Sequence, residues 1–220
     1  MNWQTLLNRQ NNDEAVPRGK PWLIRFLLGM LRPLLRWYFP LAVHGRENIP
    51  DDGNVMFASN HQSYLDPVFI SCAMGPTHAS NTCYLAKDKH FQSRFRRWFA
   101  RSTRVMLIAP GARLREMMAK LGLILQSGCH LIIFPEGTRT PNGEIYEFKK
   151  TFALLAEATE TPIVPVLITG AYEAFPVGTK KPLRSPVAVR FLPPVRPETG
   201  QARELAGQVE SALRSALSEN

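Results

Sequence analysis

Short apolar runs alternate with segments of helical periodicity along most of this 220-residue chain, and the runs end in polar or proline-containing turns. Runs of this length, bounded by turn residues, are typical of buried β-strands. The predicted strands are 55–59, 82–86, 104–108, 130–134, 163–169 and 187–192, and the predicted helices are 64–75, 112–127, 148–160 and 201–217. Strands that alternate with helices form largely parallel sheets with helices packed on them. The alternation therefore predicts an α/β fold with a mostly parallel sheet flanked by helices.

A histidine and an aspartate follow the first of these strands. His61 lies just beyond the strand end, and Asp66 follows closely enough for a turn to return its carboxylate to the imidazole. Such a pair is a general base with an orienting group: the carboxylate holds Nδ1–H and leaves Nε2 free to accept a proton. Pro67 also suits the first turn of a helix, so Asp66 can instead serve as the N-cap. The two interpretations are compatible, because a carboxylate has two oxygens.

A second polar turn, 136–139, follows the predicted strand 130–134. Four segments stand in this order along the chain: NHQSYLD at 60–66, FPEGTR at 134–139, FKK at 148–150 and IVPV at 163–166. They resemble the first motif, the third motif, the basic segment before the fourth motif, and the fourth motif of the glycerolipid acyltransferases, the lysophosphatidic acid acyltransferase family. The resemblance covers roughly residues 40 to 192, and a match of several motifs in order is far more specific than a single motif.

The resemblance implies an enzyme of phospholipid synthesis. Such an enzyme moves a fatty acyl group from acyl-CoA or acyl-carrier protein to the free hydroxyl of lysophosphatidic acid (1-acylglycerol-3-phosphate). His61, oriented by Asp66, is expected to deprotonate that hydroxyl, which attacks the thioester carbonyl without a covalent acyl-enzyme. Backbone N–H groups are expected to stabilise the oxyanion. The same motifs imply the substrate-binding residues Glu136, Gly137, Thr138, Arg139 and Lys149.

Each of these substrate-binding residues also has a simpler interpretation. The planar guanidinium of Arg139 can donate two parallel hydrogen bonds to an acceptor phosphate, or it can form a surface ion pair. Glu136 can position the glycerol hydroxyl or Arg139, or it can accept hydrogen bonds within the turn. Gly137 would allow close approach of a ligand to the backbone. Lys149 and Lys150 lie at the start of the predicted helix 148–160, whose dipole opposes cations there, so they either hold an anionic ligand group or are simply solvated.

The chain departs from the family in its second motif. Family members carry an acidic residue and an arginine after the strand predicted at 104–108, whereas this chain has Ala109 and Pro110. Arg113 or Arg115 can reach the same space, or the acceptor is another lysophospholipid or an aminolipid. Two further classes stay open: an acyl hydrolase that uses Ser63 as nucleophile with His61, and a non-catalytic membrane adaptor. The hydrolase is disfavoured because the chain has no G-x-S-x-G nucleophile motif.

Composition and charge limit the kind of protein. With 45% hydrophobic and 20% charged residues, the chain is an ordinary globular protein with one good core. Its first twenty residues are polar and lack the apolar core of a signal peptide. The formal net charge of +9 favours an anionic partner, which can be nucleic acid, an anionic bilayer or a phosphorylated small molecule. We predict a polar segment 1–20, amphipathic helices over 21–43 and the acyltransferase catalytic domain over 44–220.

Cysteine usage argues against metal or disulfide chemistry. Cys72, Cys83 and Cys129 are odd in number and lack paired ligand spacing, so neither a disulfide framework nor a zinc site is expected. We expect no metal and no bound organic cofactor, with acyl-CoA or acyl-carrier protein as co-substrate only. A reducing cytosolic compartment fits this usage. No oligomeric state follows from the sequence.

The segment 21–43 is long and apolar, but three arginines interrupt it. Each of Arg25, Arg32 and Arg36 costs roughly 3 kcal/mol near the centre of a membrane-spanning helix, so a span is disfavoured. On a helix they fall within roughly 40° of one another and leave an apolar remainder. We predict one or two helices that lie in the membrane interface, kinked at Pro33, on the cytoplasmic face of a membrane. The alternative is a soluble helix packed on the domain.

The segment 87–104 is strongly basic and carries interleaved aromatic residues at helical spacing. These are Phe91, Phe95, Trp98 and Phe99. Cations and aromatics could bind the phosphates and bases of a nucleic acid. The helical spacing instead favours one buried or lipid-facing stripe, with the cations as a rim for anionic lipid or for the phosphates of the acyl donor. No recognisable nucleic-acid module accompanies the patch, so we predict membrane lipid and no nucleic acid as partners.

Overall fold

A computed structural model describes residues 19–88, 91–109 and 111–219 of the chain. Its strands are β1 (Leu41–His44), β2 (Met56–Ser59), β3 (Thr82–Lys87), β4 (Val105–Ile108), β5 (His130–Ile133), β6 (Ile163–Thr169) and β7 (Val187–Phe191). Its α-helices are α1 (Pro21–Tyr38), α2 (Asp66–Met74), α3 (Pro76–Ser80), α4 (Arg94–Ser102), α5 (Leu114–Gln126), α6 (Thr151–Thr159), α7 (Ala171–Ala174) and α8 (Ala202–Ser218), with a short 3-10 turn at Arg46–Asn48.

The strands form one seven-stranded sheet in the order β1-β7-β6-β2-β5-β3-β4. The five strands from β6 to β4 in that order are parallel to one another. β7 runs antiparallel to β6 and pairs in parallel with β1, so these two strands at one end have the opposite direction. The prediction of an α/β fold with a mostly parallel sheet flanked by helices is confirmed.

Two layers of helices cover the two faces of the sheet, and alternate residues of the central strand divide between them. Met56 and Ala58 of β2 pack into the core formed with α5, α6 and α8, whereas Phe57 packs into the core formed with α1, α2, α3 and α7. Side chains alternate across a strand, and a parallel strand covered on both faces is apolar throughout. All four residues of β2 are buried, so the strand that carries His61 beyond its end is anchored on both faces.

The predicted helical segment 21–43 ends earlier than expected. α1 stops at Tyr38, and Leu41–His44 form β1, which pairs with β7. Phe39 is extended, with φ −111° and ψ 104°, because the residue before a proline avoids helical dihedrals and Pro40 follows it. Pro33 lies inside the single helix α1. Among the described residues, no helix is both long enough and apolar enough to span a bilayer.

Candidate active site

His61 and Asp66 meet as their spacing predicted. His61 lies in the loop after β2, Asp66 is the first residue of α2, and His61 Nδ1 is 2.8 Å from Asp66 Oδ2. The same oxygen accepts hydrogen bonds from the main-chain N–H groups of Gln62 at 2.7 Å and Ser63 at 2.8 Å. The N-cap interpretation of Asp66 is wrong: the N-cap is Leu65, and no side chain caps the helix. The carboxylate shapes the loop before the helix.

The environment of Asp66 favours an imidazole with its proton on Nδ1. Burial raises the pKa of the Asp66 carboxyl, while hydrogen bonds from His61, Ser63 and Gln62 act in the opposite direction. An ionised Oδ2 surrounded by three nitrogens is satisfied only if each nitrogen donates. Nε2 of His61 then carries a lone pair, and the side chain of His61 is 19% exposed. The arrangement can therefore accept a proton from a bound hydroxyl.

Phe134 fixes the plane of the imidazole. Its ring stacks on His61 with centroids 3.9 Å apart and an interplanar angle of 16°. Phe134 follows β5, which lies beside β2 in the sheet. Phe134 belongs to the third motif, but its contact with His61 depends on the adjacency of β2 and β5, which the sequence alone does not reveal.

Two amides of the first motif fasten the catalytic loop to its surroundings. Asn60, which is buried, donates to the Ile168 carbonyl at 2.9 Å and accepts from the Ile168 N–H at 2.8 Å. Gln62 donates to the Gly143 carbonyl at 3.1 Å and accepts from the Tyr172 N–H at 3.3 Å. Sequence reasoning missed both roles. Since buried polar side chains are normally hydrogen-bonded, an amide on each side of a candidate base was the available signal.

Glu136 holds the main chain at His61. Its Oε1 accepts from the His61 N–H at 2.8 Å, and its Oε2 accepts from the Tyr146 N–H at 3.2 Å. The Thr140 N–H in turn donates to the His61 carbonyl at 2.8 Å. Burial raises the pKa of Glu136 to about 7. Of the alternatives for Glu136, these contacts match the hydrogen-bond acceptor of a turn, and they lock the two motifs together.

Arg139 has an unsatisfied donor inside the site. Its guanidinium carbon lies 3.3 Å from the centroid of the Tyr64 ring, which is a close cation–π contact. Its Nη1 is buried and has no hydrogen-bond partner among the described residues. A buried N–H without a partner is costly, so an anionic ligand group at this position would be stabilised. Tyr64 was another residue of the first motif that sequence reasoning left without a role.

The structure brings Lys149 to the turn of the third motif. Gly137 has φ +75°, and a Cβ built on it would lie 2.5 Å from Lys149 Nζ. The main-chain N–H of Lys149 donates to the Pro135 carbonyl at 3.1 Å. Thr138 is exposed on the same turn. The ammonium of Lys149 therefore takes the space beside Gly137 that a larger residue would fill.

The residues weighed as substitutes for the second motif lie at the start of α5, which follows β4. Arg113 is the N-cap of α5 and Arg115 lies in its first turn, and both are exposed. Ser63, the nucleophile of the hydrolase alternative, donates to the Phe175 carbonyl at 3.2 Å and accepts from the Leu65 N–H at 3.2 Å. Its hydroxyl thus contacts the main chain. Within the described ranges, no group of three or more His, Cys, Asp or Glu side chains is placed to hold a metal ion.

Comparison with known proteins identifies the family. The model of the family described as "Acyltransferase" matches residues 40–169, which is more than half of the chain and contains both polar turns. The chain belongs to the acyltransferase family. The prediction made from the motifs is thereby confirmed at the level of the family.

Several relatives of this acyltransferase bear a more specific name. It is 29% identical over 192 residues to the 1-acyl-sn-glycerol-3-phosphate acyltransferase of Limnanthes alba, a match that covers 80% of this chain and 64% of that protein. A probable 1-acyl-sn-glycerol-3-phosphate acyltransferase of Mycoplasma pneumoniae is 29% identical over 168 residues, covering 73% of this chain and 62% of that protein. The match thus spans less than two thirds of the length of both curated relatives.

A solved structure shares the fold of this acyltransferase. The crystal structure of the 1-acyl-sn-glycerophosphate (LPA) acyltransferase PlsC from Thermotoga maritima superposes with a TM-score of 0.74 at 28% sequence identity. The superposition covers 90% of this chain and 78% of that one. The fold that positions the candidate site is therefore similar to the fold of PlsC.

Proposed function

We propose that this chain is a 1-acylglycerol-3-phosphate O-acyltransferase. It transfers a fatty acyl group from acyl-CoA or acyl-carrier protein to the free hydroxyl of lysophosphatidic acid. The observation that carries the proposal is the His61–Asp66 pair, joined at 2.8 Å and clamped at its main chain by Glu136 and Thr140. The names of the relatives from Limnanthes alba and Mycoplasma pneumoniae support the same reaction.

The chemistry follows from the free nitrogen of His61. Nε2 accepts the proton of the acceptor hydroxyl as its oxygen attacks the thioester carbonyl carbon, and Asp66 stabilises the imidazolium that forms. The tetrahedral intermediate collapses with cleavage of the C–S bond, and the imidazolium returns its proton to the departing thiolate. The products are an ester and a free thiol. The proposed reaction uses no bound metal or organic cofactor.

The acceptor phosphate is proposed to bind at Arg139. The unpartnered Nη1 of Arg139 would donate to a phosphate oxygen, and charge-assisted bonds of this kind are among the strongest that proteins form. The Tyr64 ring contacts the guanidinium, whose carbon lies 3.3 Å from the ring centroid. Lys149, at Gly137 of the same turn, adds a second cation. These contacts support a phosphate-bearing lysolipid over an aminolipid as the acceptor.

An apolar groove at the start of α2 suits an acyl chain. The groove has a volume of about 270 Å³ and lies between α1, the start of α2 and strands β3 and β4. Leu27, Leu31 and Phe99 are among its lining residues, together with Pro67 and Val68, which directly follow Asp66. An apolar cavity takes up an apolar chain because burial removes hydrocarbon from water. We propose that it holds an acyl chain of the donor or the acceptor.

The proposed location is the cytoplasmic face of a membrane, with α1 in the interface. One face of α1 packs on the domain through Ile24 and Leu35, which are buried. Its other face exposes more than half the surface of each of five large apolar residues: Trp22, Phe26, Met30, Leu34 and Trp37. A contiguous exposed apolar stripe of this kind is typical of a surface that contacts lipid or protein. An interfacial helix would place the groove next to its lipid substrates.

The experiment is a transfer assay with labelled acyl donor and lysophosphatidic acid in detergent. We expect His61→Ala to lower kcat by at least about 10²-fold, the usual contribution of a general base, and Arg139→Ala to raise KM for the acceptor. His44→Ala is a matched control, because His44 is an exposed histidine at the end of β1. Acyl-CoA and acyl-carrier protein are compared as donors. If His61→Ala transferred acyl groups as fast as the wild type, the proposed mechanism would be refuted.

A further inference from the structure

Helix α4 exposes its aromatic side chains. Phe95 is 70% exposed, Trp98 is 49% exposed and Phe99 is 38% exposed, whereas Ala100 and Ser102 are buried. For these three aromatics the interpretation as a buried stripe is therefore wrong. Phe95 and Trp98 contact each other, with ring centroids 5.8 Å apart. Clustered aromatic side chains on a surface mark an interaction site.

A row of arginines lies beside the aromatic cluster. Arg94, Arg97 and Arg101 are spaced at i, i+3 and i+7, which places them on one face of the helix. α4 contains no acidic residue. The guanidinium of Arg97 lies 3.4 Å from the Asp88 carboxylate and donates to the Phe91 carbonyl. Arg94 and Arg101 are exposed. The helix thus presents cations directly next to large apolar groups.

The surface of α4 continues into that of α1. The main-chain N–H of Lys20 donates to the Ser102 carbonyl at 2.8 Å, and Lys20 Nζ lies 5.6 Å from the centroid of the Trp98 ring. Trp22, the first residue of the exposed apolar face of α1, lies two residues after Lys20. Phe91 and Phe99 line the apolar groove from one side and leucines of α1 line it from another. The two helices therefore flank the same groove.

We infer that α4 is a second lipid-docking helix, which together with the exposed face of α1 binds the surface of an anionic bilayer. Aromatic side chains partition to the headgroup level, and arginines beside them pair with anionic headgroups. The partner is inferred from charge complementarity: the arginines match anionic headgroups, and the aromatic side chains beside them match the apolar region of the same membrane interface. The inference rests on the proposed function for its lipid substrates, and it adds a preference for anionic lipid and a docked orientation with the groove facing the bilayer.

The first test is vesicle binding by a charge variant of α4. Arg94→Gln/Arg101→Gln is compared with Arg196→Gln/Arg203→Gln, which removes the same charge from two exposed arginines outside α4. On phosphatidylcholine vesicles that contain phosphatidylglycerol, we expect the α4 variant to bind roughly 30-fold more weakly at low salt, because each basic residue near an anionic surface contributes roughly fivefold. The control variant should bind like the wild type. On pure phosphatidylcholine all three proteins should bind equally.

The second test locates the aromatic cluster in the bilayer. The chain has four tryptophans, and replacing Trp3, Trp22 and Trp37 by phenylalanine leaves Trp98 as the only indole. Lipids brominated near the headgroup end of the acyl chain should quench Trp98 fluorescence in anionic vesicles. Absence of quenching in a protein that binds these vesicles would overturn the role of α4.

Transfer in detergent tests the proposed function, and binding to anionic vesicles tests the inference about α4. If the α4 variant keeps wild-type transfer in detergent but loses it on anionic vesicles, both stand. If the wild type transfers no acyl group to any lysolipid in detergent, the proposed function fails, while the vesicle result still decides the docking surface. If the α4 variant bound anionic vesicles as tightly as the wild type, the inference would be overturned. It would also be overturned if the α4 variant bound only RNA or an acidic carrier protein more weakly than the wild type did. Far-UV circular dichroism checks that each variant is folded.

Discussion

Replacing Glu136 by glutamine should change how the stability of the protein depends on pH. Glu136 is 4% exposed, and its two oxygens accept from the N–H groups of His61 and Tyr146. A glutamine retains one oxygen and places an NH₂ group where the other acceptor was. One buried N–H then loses its partner, which costs about 1–3 kcal/mol at every pH.

The pH-dependent part follows from the raised pKa. Burial raises the pKa of Glu136 from an ordinary value of 4.5 to about 7, so the folded protein holds a proton that the unfolded chain releases between these pH values. The contribution of the neutral carboxyl to stability is fully present below pH 4.5 and is lost as the pH rises through 7. Its size is about 3 kcal/mol. Glu136→Gln is neutral at every pH, so its stability does not fall in this way as the pH rises.

The assay is urea denaturation at a series of pH values from about 4.5 to 8, with the free energy of unfolding obtained by linear extrapolation. The wild type should be more stable by about 1–3 kcal/mol at the acidic end. It should then lose about 3 kcal/mol relative to Glu136→Gln towards the alkaline end, so that the two curves converge or cross. Glu173→Gln makes the same chemical change at an exposed glutamate, and its free energy of unfolding should follow the wild-type curve. Parallel curves for the wild type and Glu136→Gln would refute the reasoning, because Glu136 would then not titrate in this range.

Three further substitutions test the contacts around the site. Asp66→Asn should lower kcat by about 10²-fold or more, because an amide oxygen no longer enforces the proton on His61 Nδ1; steady-state transfer in detergent measures this, and an unchanged kcat would exclude Asp66 from the mechanism. Tyr64→Leu removes the ring against Arg139 and should raise acceptor KM roughly two- to thirtyfold with kcat retained; the same assay with varied acceptor decides it, and a wild-type KM contradicts it. Asn60→Ala leaves both main-chain groups of its β6 partner unpaired and should lower the free energy of unfolding by about 1–3 kcal/mol; urea denaturation at neutral pH measures the loss, and a stability equal to the wild type would show that water replaces the amide.

Six of the seven strands, the site segments and the pairing of His61 with Asp66 could be predicted from the sequence. These depend on local information: apolar runs, turn residues and a spacing of a few positions. It did not reveal β1, because Leu41–His44 continue an apolar segment that already matched a helix, and an apolar run of four residues carries no periodicity of its own. α1 ends at Tyr38, and Phe39, the residue before Pro40, is already extended; Pro40 was therefore a visible signal.

The role of Glu136 could not be read from residue types alone. A carboxylate in a polar turn is equally suited to a substrate hydroxyl, an arginine or a main-chain N–H, and only the neighbouring strand decides among them. The stacking of Phe134 on His61 depends on the same information. Glu136 could be named from the sequence but its partner could not, because strand order in a parallel sheet is set by crossovers between distant segments.

Strand order also explains why the candidate base follows β2. β2 lies between β5 and β6, so the loop that carries His61 has a parallel strand end on each side. From β5 come Phe134 and Glu136, which fix the ring and the main-chain N–H of His61. From β6 comes the main chain of Ile168, which holds Asn60. An edge strand would supply such contacts from one side only. The central position therefore gives a solvent-accessible imidazole a fixed orientation without a rigid element of its own, which is what a general base requires.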